Sequence, residues 1–216
     1  MYLTHLLILL LLNSGGTNPA KIPAPPVKSE KIISPEAVFY DELQLRNLLA
    51  YDIFVKAMHG VDTYHPEKKF IAIIDFSQES TQKRLFIIDL ENRKLVLNTF
   101  VAHGKNSGAL MATTFSNIPQ SLMSSPGFYR VSEIINSPKH GEALLLEGLE
   151  KGINDNARCR EIIIHGAAYV CEDFIKNTGR LGRSHGCPAV PVKEMNQVSK
   201  FLAGGSLLYI YSPSYH

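Results

Sequence analysis

Seven short runs of β-branched and aromatic residues recur along most of this chain, and they constrain its fold more than any other feature. They lie at residues 70–76, 85–90, 95–102, 127–134, 143–147, 161–165 and 206–211. Turn-forming residues separate the runs, and Glu91-Asn92-Arg93 stands where a hairpin turn between the second and third is expected. Short strands in this arrangement predict a mainly β fold, as a β-sandwich or a barrel.

Helical segments are predicted at both ends of this β region. Apolar residues recur at helical spacing between residues 36 and 58, which predicts one or two helices there. Ser34 and Pro35 are suited to the N-cap and the first helical position, and Gly60 is expected to end the segment. A further peripheral helix is predicted at residues 192–202, before two glycines.

The N-terminal region has the composition of an export signal followed by a linker. Leu6 to Leu12 are seven consecutive aliphatic residues, whereas a membrane-spanning helix needs about 20. We therefore predict a signal peptide at residues 1–18, with a buried strand or a poorly cleaved anchor as alternatives. Prolines mixed with polar residues predict a linker at residues 19–34 and a folded domain at 35–216. This organisation implies export to the periplasm or cell envelope, without stable membrane insertion after cleavage.

Composition excludes two broad classes of protein. Apolar residues make up 45% of the 216 residues and charged residues 19%, which is too apolar for an intrinsically disordered chain. The 22 basic and 20 acidic residues nearly balance, and neither sign forms a block. Nucleic-acid binding, which needs a basic patch, is therefore not expected.

Two segments carry residues suited to nucleophilic acyl transfer: Ile162-Ile163-Ile164-His165-Gly166 and Arg183-Ser184-His185-Gly186-Cys187-Pro188. A thiol becomes an effective nucleophile when an imidazole takes its proton, so His165 and Cys187 form a candidate pair. Gly186 permits close approach of the backbone, and amides around it would form an oxyanion hole. The alternative is that the cysteine is a small buried apolar residue and the histidine a structural one.

These motifs resemble a known family. His165-Gly166 followed by Ser184-His185-Gly186-Cys187 is similar to the signature of the L,D-transpeptidases of the YkuD type. Further segments resemble the murein L,D-transpeptidase catalytic domain subfamily, at residues 101–107, 115–117, 125–129, 148–150, 152–155, 164–167 and 182–191. The resemblance covers about residues 36–212 and implies the family's β-sandwich, with the cysteine in a crevice.

The resemblance also implies roles for particular residues. Cys187 would be the nucleophile and His165 the general base, with the backbone near Gly166 orienting the imidazole. Ser184 and His185 would shape the pocket. The implied donor is a tetrapeptide stem of peptidoglycan that forms a thioester and loses its terminal D-alanine. The acyl group then passes to an acceptor amine as a cross-link, or to water in a carboxypeptidase (hydrolase) reaction, and no cofactor is implied.

The sequence departs from the commoner family pattern after the cysteine. Pro188-Ala189 replace an aliphatic residue and an arginine, which leaves the substrate carboxylate without its usual partner. Arg183 or Arg180 would supply a bidentate contact instead, and the alternative for each is a solvated loop charge. A long interval between His165 and Cys187 also leaves room for an inserted loop at residues 171–177.

Other cysteines and histidines have open interpretations. Cys159 and Cys171 flank the strand predicted at residues 162–165, and in an exported protein they form either one disulfide or two free thiols. His103 and His140 each precede a glycine, and an ordinary loop histidine is favoured for both. A substrate-side role is the alternative for His103.

Three rival functions come from other classes. His165, His185 and Cys187 are all possible zinc ligands, although no Cys-x-x-Cys or His-Glu-x-x-His motif accompanies them. A chelator would abolish activity in a zinc enzyme and leave a thiol enzyme active. The second rival is a non-catalytic wall-binding module, and the third is a cysteine peptidase acting on proteins, which casein cleavage would reveal.

Overall fold

The computed structural model describes residues 34–215. The signal peptide predicted at residues 1–18 and all but the last residue of the linker predicted at 19–34 lie outside the described residues. Within 34–215, no helix combines the length and the apolar character needed to cross a membrane.

Eight strands form one sheet, and the prediction of a mainly β fold is confirmed. The strands are β1 (Phe70–Asp75), β2 (Leu85–Asp89), β3 (Lys94–Thr99), β4 (Gly127–Ser137), β5 (Gly141–Gly148), β6 (Ile163–Gly166), β7 (Ala189–Val190) and β8 (Ser206–Tyr211). Their order is β3-β2-β1-β8-β4-β5-β6-β7. The pairs β1–β8 and β6–β7 are parallel, and the other neighbours are antiparallel.

The sheet buries side chains on both faces. One core contains Leu85 of β2 together with Ile164 of β6, although these strands are far apart in the sheet order, so the sheet curls over on itself in a sandwich-like arrangement. The other face of β1, β2 and β8 packs against two N-terminal helices, with Phe54 and Ile73 fully buried between them. Burial on both faces explains why these strands read as continuous apolar runs rather than as alternating ones.

The helices are α1 (Pro35–Glu42), α2 (Tyr51–Tyr64), α3 (Glu172–Thr178) and α4 (Met195–Leu202), with a 3-10 turn at Val192–Glu194. The Ser34 hydroxyl accepts a hydrogen bond from the Ala37 N–H, which confirms the predicted N-cap. The predicted stop at Gly60 is wrong, because α2 continues to Tyr64. Gly60 instead lies against the Phe128 ring, where any Cβ would collide with it.

Two elements near the candidate motifs differ from expectation. The insertion predicted as a loop at residues 171–177 contains α3, with Gly179 as its left-handed C-cap. The strand β7 was not predicted, because two residues carry no periodic signal. Its pairing with β6 defines it, with His165 opposite Ala189.

Candidate active site

His165 lies on β6 with its side chain directed away from the curled core. Side chains alternate along a strand, and Ile162 and Ile164 enter the core, so Ile163 and His165 lie on the opposite face. His165 is nevertheless only 1% exposed. Neighbouring segments therefore cover this face of β6 and form the walls of the candidate site.

The backbone fixes the orientation of the His165 ring. Nδ1 lies 3.0 Å from the Gly166 carbonyl oxygen, and a carbonyl only accepts, so Nδ1 carries the proton and Nε2 keeps a free lone pair. Burial lowers the pKa of His165, an effect that the nearby His140 and Lys139 reinforce and the Gly166 carbonyl opposes. The imidazole is thus held neutral, in the tautomer that a general base acting through Nε2 requires.

The strand pairing brings Cys187 next to β6. The backbone N–H of His165 donates to the Pro188 carbonyl oxygen at 3.3 Å. Because Pro188 directly follows Cys187, this bond holds the cysteine close to β6. The Sγ atom is partly exposed and lies 3.7 Å from the Glu161 carbonyl oxygen. Burial raises the pKa of the Cys187 thiol, while the Ile163 N–H and the Arg160 guanidinium lower it.

A cleft of about 560 Å³ opens onto Cys187. The β4–β5 hairpin tip, defined here as residues 135–140, forms one wall, and Ile163, Glu161 and Arg158 contribute to the rest. His140 of this tip stacks on His165, with 3.8 Å between the ring centroids. Among the described contacts the thiol and the imidazole do not hydrogen-bond directly, as is common before substrate tightens a site.

Hydrogen bonds shape the turn that precedes Cys187. The Ser184 hydroxyl accepts from the Gly186 N–H at 3.1 Å and donates to the Cys187 carbonyl at 2.6 Å. Gly186 has a φ of +130°, and a Cβ there would lie 2.8 Å from the Met123 carbonyl oxygen. The Gly186 amide is therefore occupied within the turn, whereas the Cys187 N–H lies beside its own sulfur and lowers the pKa of that thiol.

A buried framework supports this turn from behind. The Ser184 N–H donates to the His103 carbonyl, and the Ala102 and Ala189 backbones form a two-way bridge. His103 is fully buried; its Nδ1 accepts from the Arg84 guanidinium at 2.8 Å, and its Nε2 lies 3.3 Å from the Gly108 carbonyl. Burial lowers the pKa of His103 to about 4. The structure thus places His103 inside the framework rather than on the cleft.

Arg180 and Arg183 line a second pocket of about 350 Å³ together with Lys105 and Tyr169. Arg183 donates to the Gly108 carbonyl at 3.0 Å, and both arginines keep other N–H groups for a ligand. Burial raises the pKa of Tyr169 to about 12, and the charge of Cys187 contributes to the rise. This second pocket is therefore cationic and lies within electrostatic range of the thiol.

The remaining predicted residues have distinct positions. His185 is exposed, and its charge helps to lower the pKa of His140. Cys159 and Cys171 are free thiols in the structure, and the Cys171 sulfur caps α3 by accepting from the Phe174 N–H. Between residues 34 and 215, no group of three or more His, Cys, Asp or Glu side chains is arranged to hold a metal ion.

Sequence reasoning missed two cationic side chains and the position of a histidine. Arg160 donates to the Ser116 carbonyl at 2.9 Å and places its charge beneath the Gly186–Cys187 turn. Lys139 lines the cleft, and His140, interpreted as an ordinary loop histidine, covers His165. No local pattern marks these residues, because the hairpin and the segment around Arg160 reach the cysteine only through strand pairing.

A comparison with protein families assigns the chain. Residues 45–211 match the family model described as the L,D-transpeptidase catalytic domain. This match covers well over half of the chain, and the protein therefore belongs to the L,D-transpeptidase catalytic domain family. No curated protein sequence matches the chain.

Three solved structures are similar to this chain at low sequence identity. An L,D-transpeptidase from Mycobacterium smegmatis is 10% identical, with a TM-score of 0.42, and the match covers 67% of this chain and 59% of that one. The helical cell shape determining protein Pgp2 from Campylobacter jejuni is 15% identical, with a TM-score of 0.44 and coverage of 68% and 48%. An L,D-transpeptidase from Stackebrandtia nassauensis is 15% identical, with a TM-score of 0.39 and coverage of 81% and 75%. The chain spans less than two thirds of the first two, and its family assignment rests on the family model alone.

Proposed function

We propose that this protein is an exported, cysteine-dependent acyltransferase acting on peptidoglycan stem peptides. The observation that supports this most directly is the cleft that opens onto the Cys187 thiol beside a buried, neutral His165. A thiol and an imidazole on paired strands, beside an open cavity, are the parts that acyl transfer through a thioester needs.

In the proposed first half-reaction, Cys187 Sγ attacks the carbonyl carbon that precedes the terminal D-alanine of a tetrapeptide stem. Nε2 of His165 takes the thiol proton and returns it to the nitrogen of the departing D-alanine as the C–N bond breaks. The enzyme is left as a thioester at Cys187. Arg160 and the Cys187 N–H stabilise the thiolate, and the same N–H is the proposed donor to the oxyanion once the sulfur is acylated.

In the second half-reaction an acceptor attacks the thioester. His165 removes a proton from an acceptor amine or from water, and the collapsing intermediate releases the Cys187 sulfur, which regains a proton. An amine produces a cross-link between two stems, and water produces a trimmed stem. Transfer to an amine is the proposed main reaction, and L,D-carboxypeptidase activity is the second candidate because the cleft is open to solvent.

The direct test of the base is the alkylation rate of Cys187. We expect His165→Ala to slow the reaction of Cys187 with iodoacetamide at pH 7 by about tenfold or more, because the thiol loses its proton acceptor. Peptide mass spectrometry distinguishes Cys187 from the free thiols Cys159 and Cys171, which serve as internal controls. Equal rates at Cys187 in the two proteins would contradict the proposed pair.

The second pocket is the proposed site for a substrate carboxylate. An Arg180→Gln, Arg183→Gln double variant is expected to raise KM for a tetrapeptide stem by about tenfold or more, because charge-assisted hydrogen bonds to the carboxylate are lost. Lys176→Gln removes an exposed charge of α3 and is the matched control. An unchanged KM would exclude a role in binding. An alkylation rate of Cys187 that falls by the same factor as KM rises would also exclude it, because the double variant would then act on the thiol.

A further inference from the structure

The β4–β5 hairpin ends in a tight turn whose position is set by the sheet. Ser137 pairs with Gly141, which leaves Pro138, Lys139 and His140 as a three-residue turn. Gly141 has a φ of +69°, the left-handed conformation that commonly closes such turns. Ala143 of β5 pairs with His165 of β6, so the hairpin tip lies beside the end of β6. The backbone therefore determines where the His140 ring lies.

The His140 ring stacks on the His165 ring, which is otherwise held by a single hydrogen bond. The Gly166 carbonyl holds Nδ1 of His165, but a single hydrogen bond still allows the imidazole to tilt about that contact. The two rings are inclined by 28° with centroids 3.8 Å apart, which is a stacked arrangement. With the stack in place, His165 is 1% exposed. The covering ring belongs to a cleft wall and has no part in the proposed proton transfers.

We propose that His140 is a positioning residue that holds the His165 imidazole in its reactive orientation and shields its face from water. This role rests on the proposed function, because it concerns the base assigned there. It requires the flat ring of His140 rather than its ability to titrate.

Several charged groups face this ring pair. Lys139 lies on the same hairpin and His185 on the turn before Cys187, and Arg158 and Glu161 line the cleft together with His140. Burial lowers the pKa of His165, and the positive charges of His140 and Lys139 act in the same direction. Truncating His140 removes both shielding and charge, so the pKa of His165 should rise. The neutral base would then be lost at a higher pH than in the parent protein.

The experiment compares His140→Ala and His140→Phe with the parent protein. The alkylation rate of Cys187 by iodoacetamide is followed by peptide mass spectrometry between pH 5 and 8, the range in which imidazole titrates. We expect His140→Ala to move the acid limb of this profile to higher pH and to reduce the rate near pH 6 several-fold. His140→Phe keeps a flat ring and should restore most of the parent's rate near pH 6. His140→Ser replaces the alanine variant if the latter has a lower thermal unfolding midpoint.

The result that overturns the proposal is a pH profile for the truncated variants that matches the parent's. An equal defect in His140→Phe and His140→Ala would overturn it as well, because a flat ring would then not be sufficient. Failure of the proposed function gives a different result. In that case His165→Ala would leave the alkylation rate of Cys187 unchanged, or stem-peptide products would be absent although the pH profiles of the parent, His140→Ala and His140→Phe differ as expected.

Discussion

Cys187→Ala is expected to abolish the conversion of a disaccharide-tetrapeptide muropeptide, with the rate falling by about a thousandfold or more. The proposed reaction passes through a thioester at Sγ, and among the described residues Cys187 is the one thiol that lines this cleft. Mass spectrometry of the products measures the effect. A dimer lacking one D-alanine identifies transpeptidation, and a tripeptide alone identifies carboxypeptidase activity.

Cys159→Ala is the matched control for this experiment, because it removes an exposed thiol that does not line the cleft. We expect it to retain the parent's rate. The Cys187→Ala protein should keep the parent's circular dichroism spectrum, since the partly exposed thiol leaves only a small space. Substantial turnover by Cys187→Ala would exclude Cys187 as the nucleophile. Loss of activity on addition of a chelator to the parent protein would instead favour the zinc alternative.

Arg84→Met is expected to cause the largest loss of stability, lowering the free energy of unfolding by about 3 kcal/mol or more. The Arg84 side chain is fully buried and lies 4.8 Å from the Phe76 ring centroid. Its guanidinium donates to the Val101 and Gln78 carbonyl oxygens and to Nδ1 of His103. Methionine approximates the volume but leaves the Val101 carbonyl and His103 Nδ1 buried without this donor, and it also removes the bond to the partly buried Gln78 carbonyl.

Urea denaturation measures this difference, and Arg46→Met provides the control. Arg46 also forms an ion pair, with Asp41, but its side chain is 73% exposed and solvent screens the pair, so we expect a much smaller loss than in Arg84→Met. Comparable losses in the two variants would contradict the role assigned to Arg84. We also expect slower alkylation of Cys187 in Arg84→Met, because His103 and Val101 belong to the segment that supports the Ser184–Cys187 turn.

Local sequence determined the secondary structure of most of this protein. Each of the seven predicted runs overlaps one strand, and the run at residues 206–211 coincides with β8. Ser34 and Pro35 start α1 as predicted, because capping depends on hydrogen bonds within one helical turn. Gly60 misled the prediction, because its role is to admit Phe128, a residue distant in sequence.

The residues of the candidate site also fall into two groups, those identifiable from local sequence and those placed by long-range strand pairing. His165 and Cys187 were identifiable from the sequence because each stands in a short segment whose residue types carry the chemistry. Their proximity depends on β7, whose two residues have no intrinsic signal and become a strand only by pairing with β6. The roles proposed for His140 and Arg160 depend equally on long-range pairing.

The sequence by itself thus determined which segments become strands and helices, and which residues are chemically suited to acyl transfer. Tertiary structure alone decided that His103 is enclosed with Arg84 and that His140 covers His165. The physical reason is the distance along the chain over which each effect acts. Propensity, capping and periodicity act over a few residues, whereas burial and the environment of a titrating group depend on segments brought together only when the sheet closes.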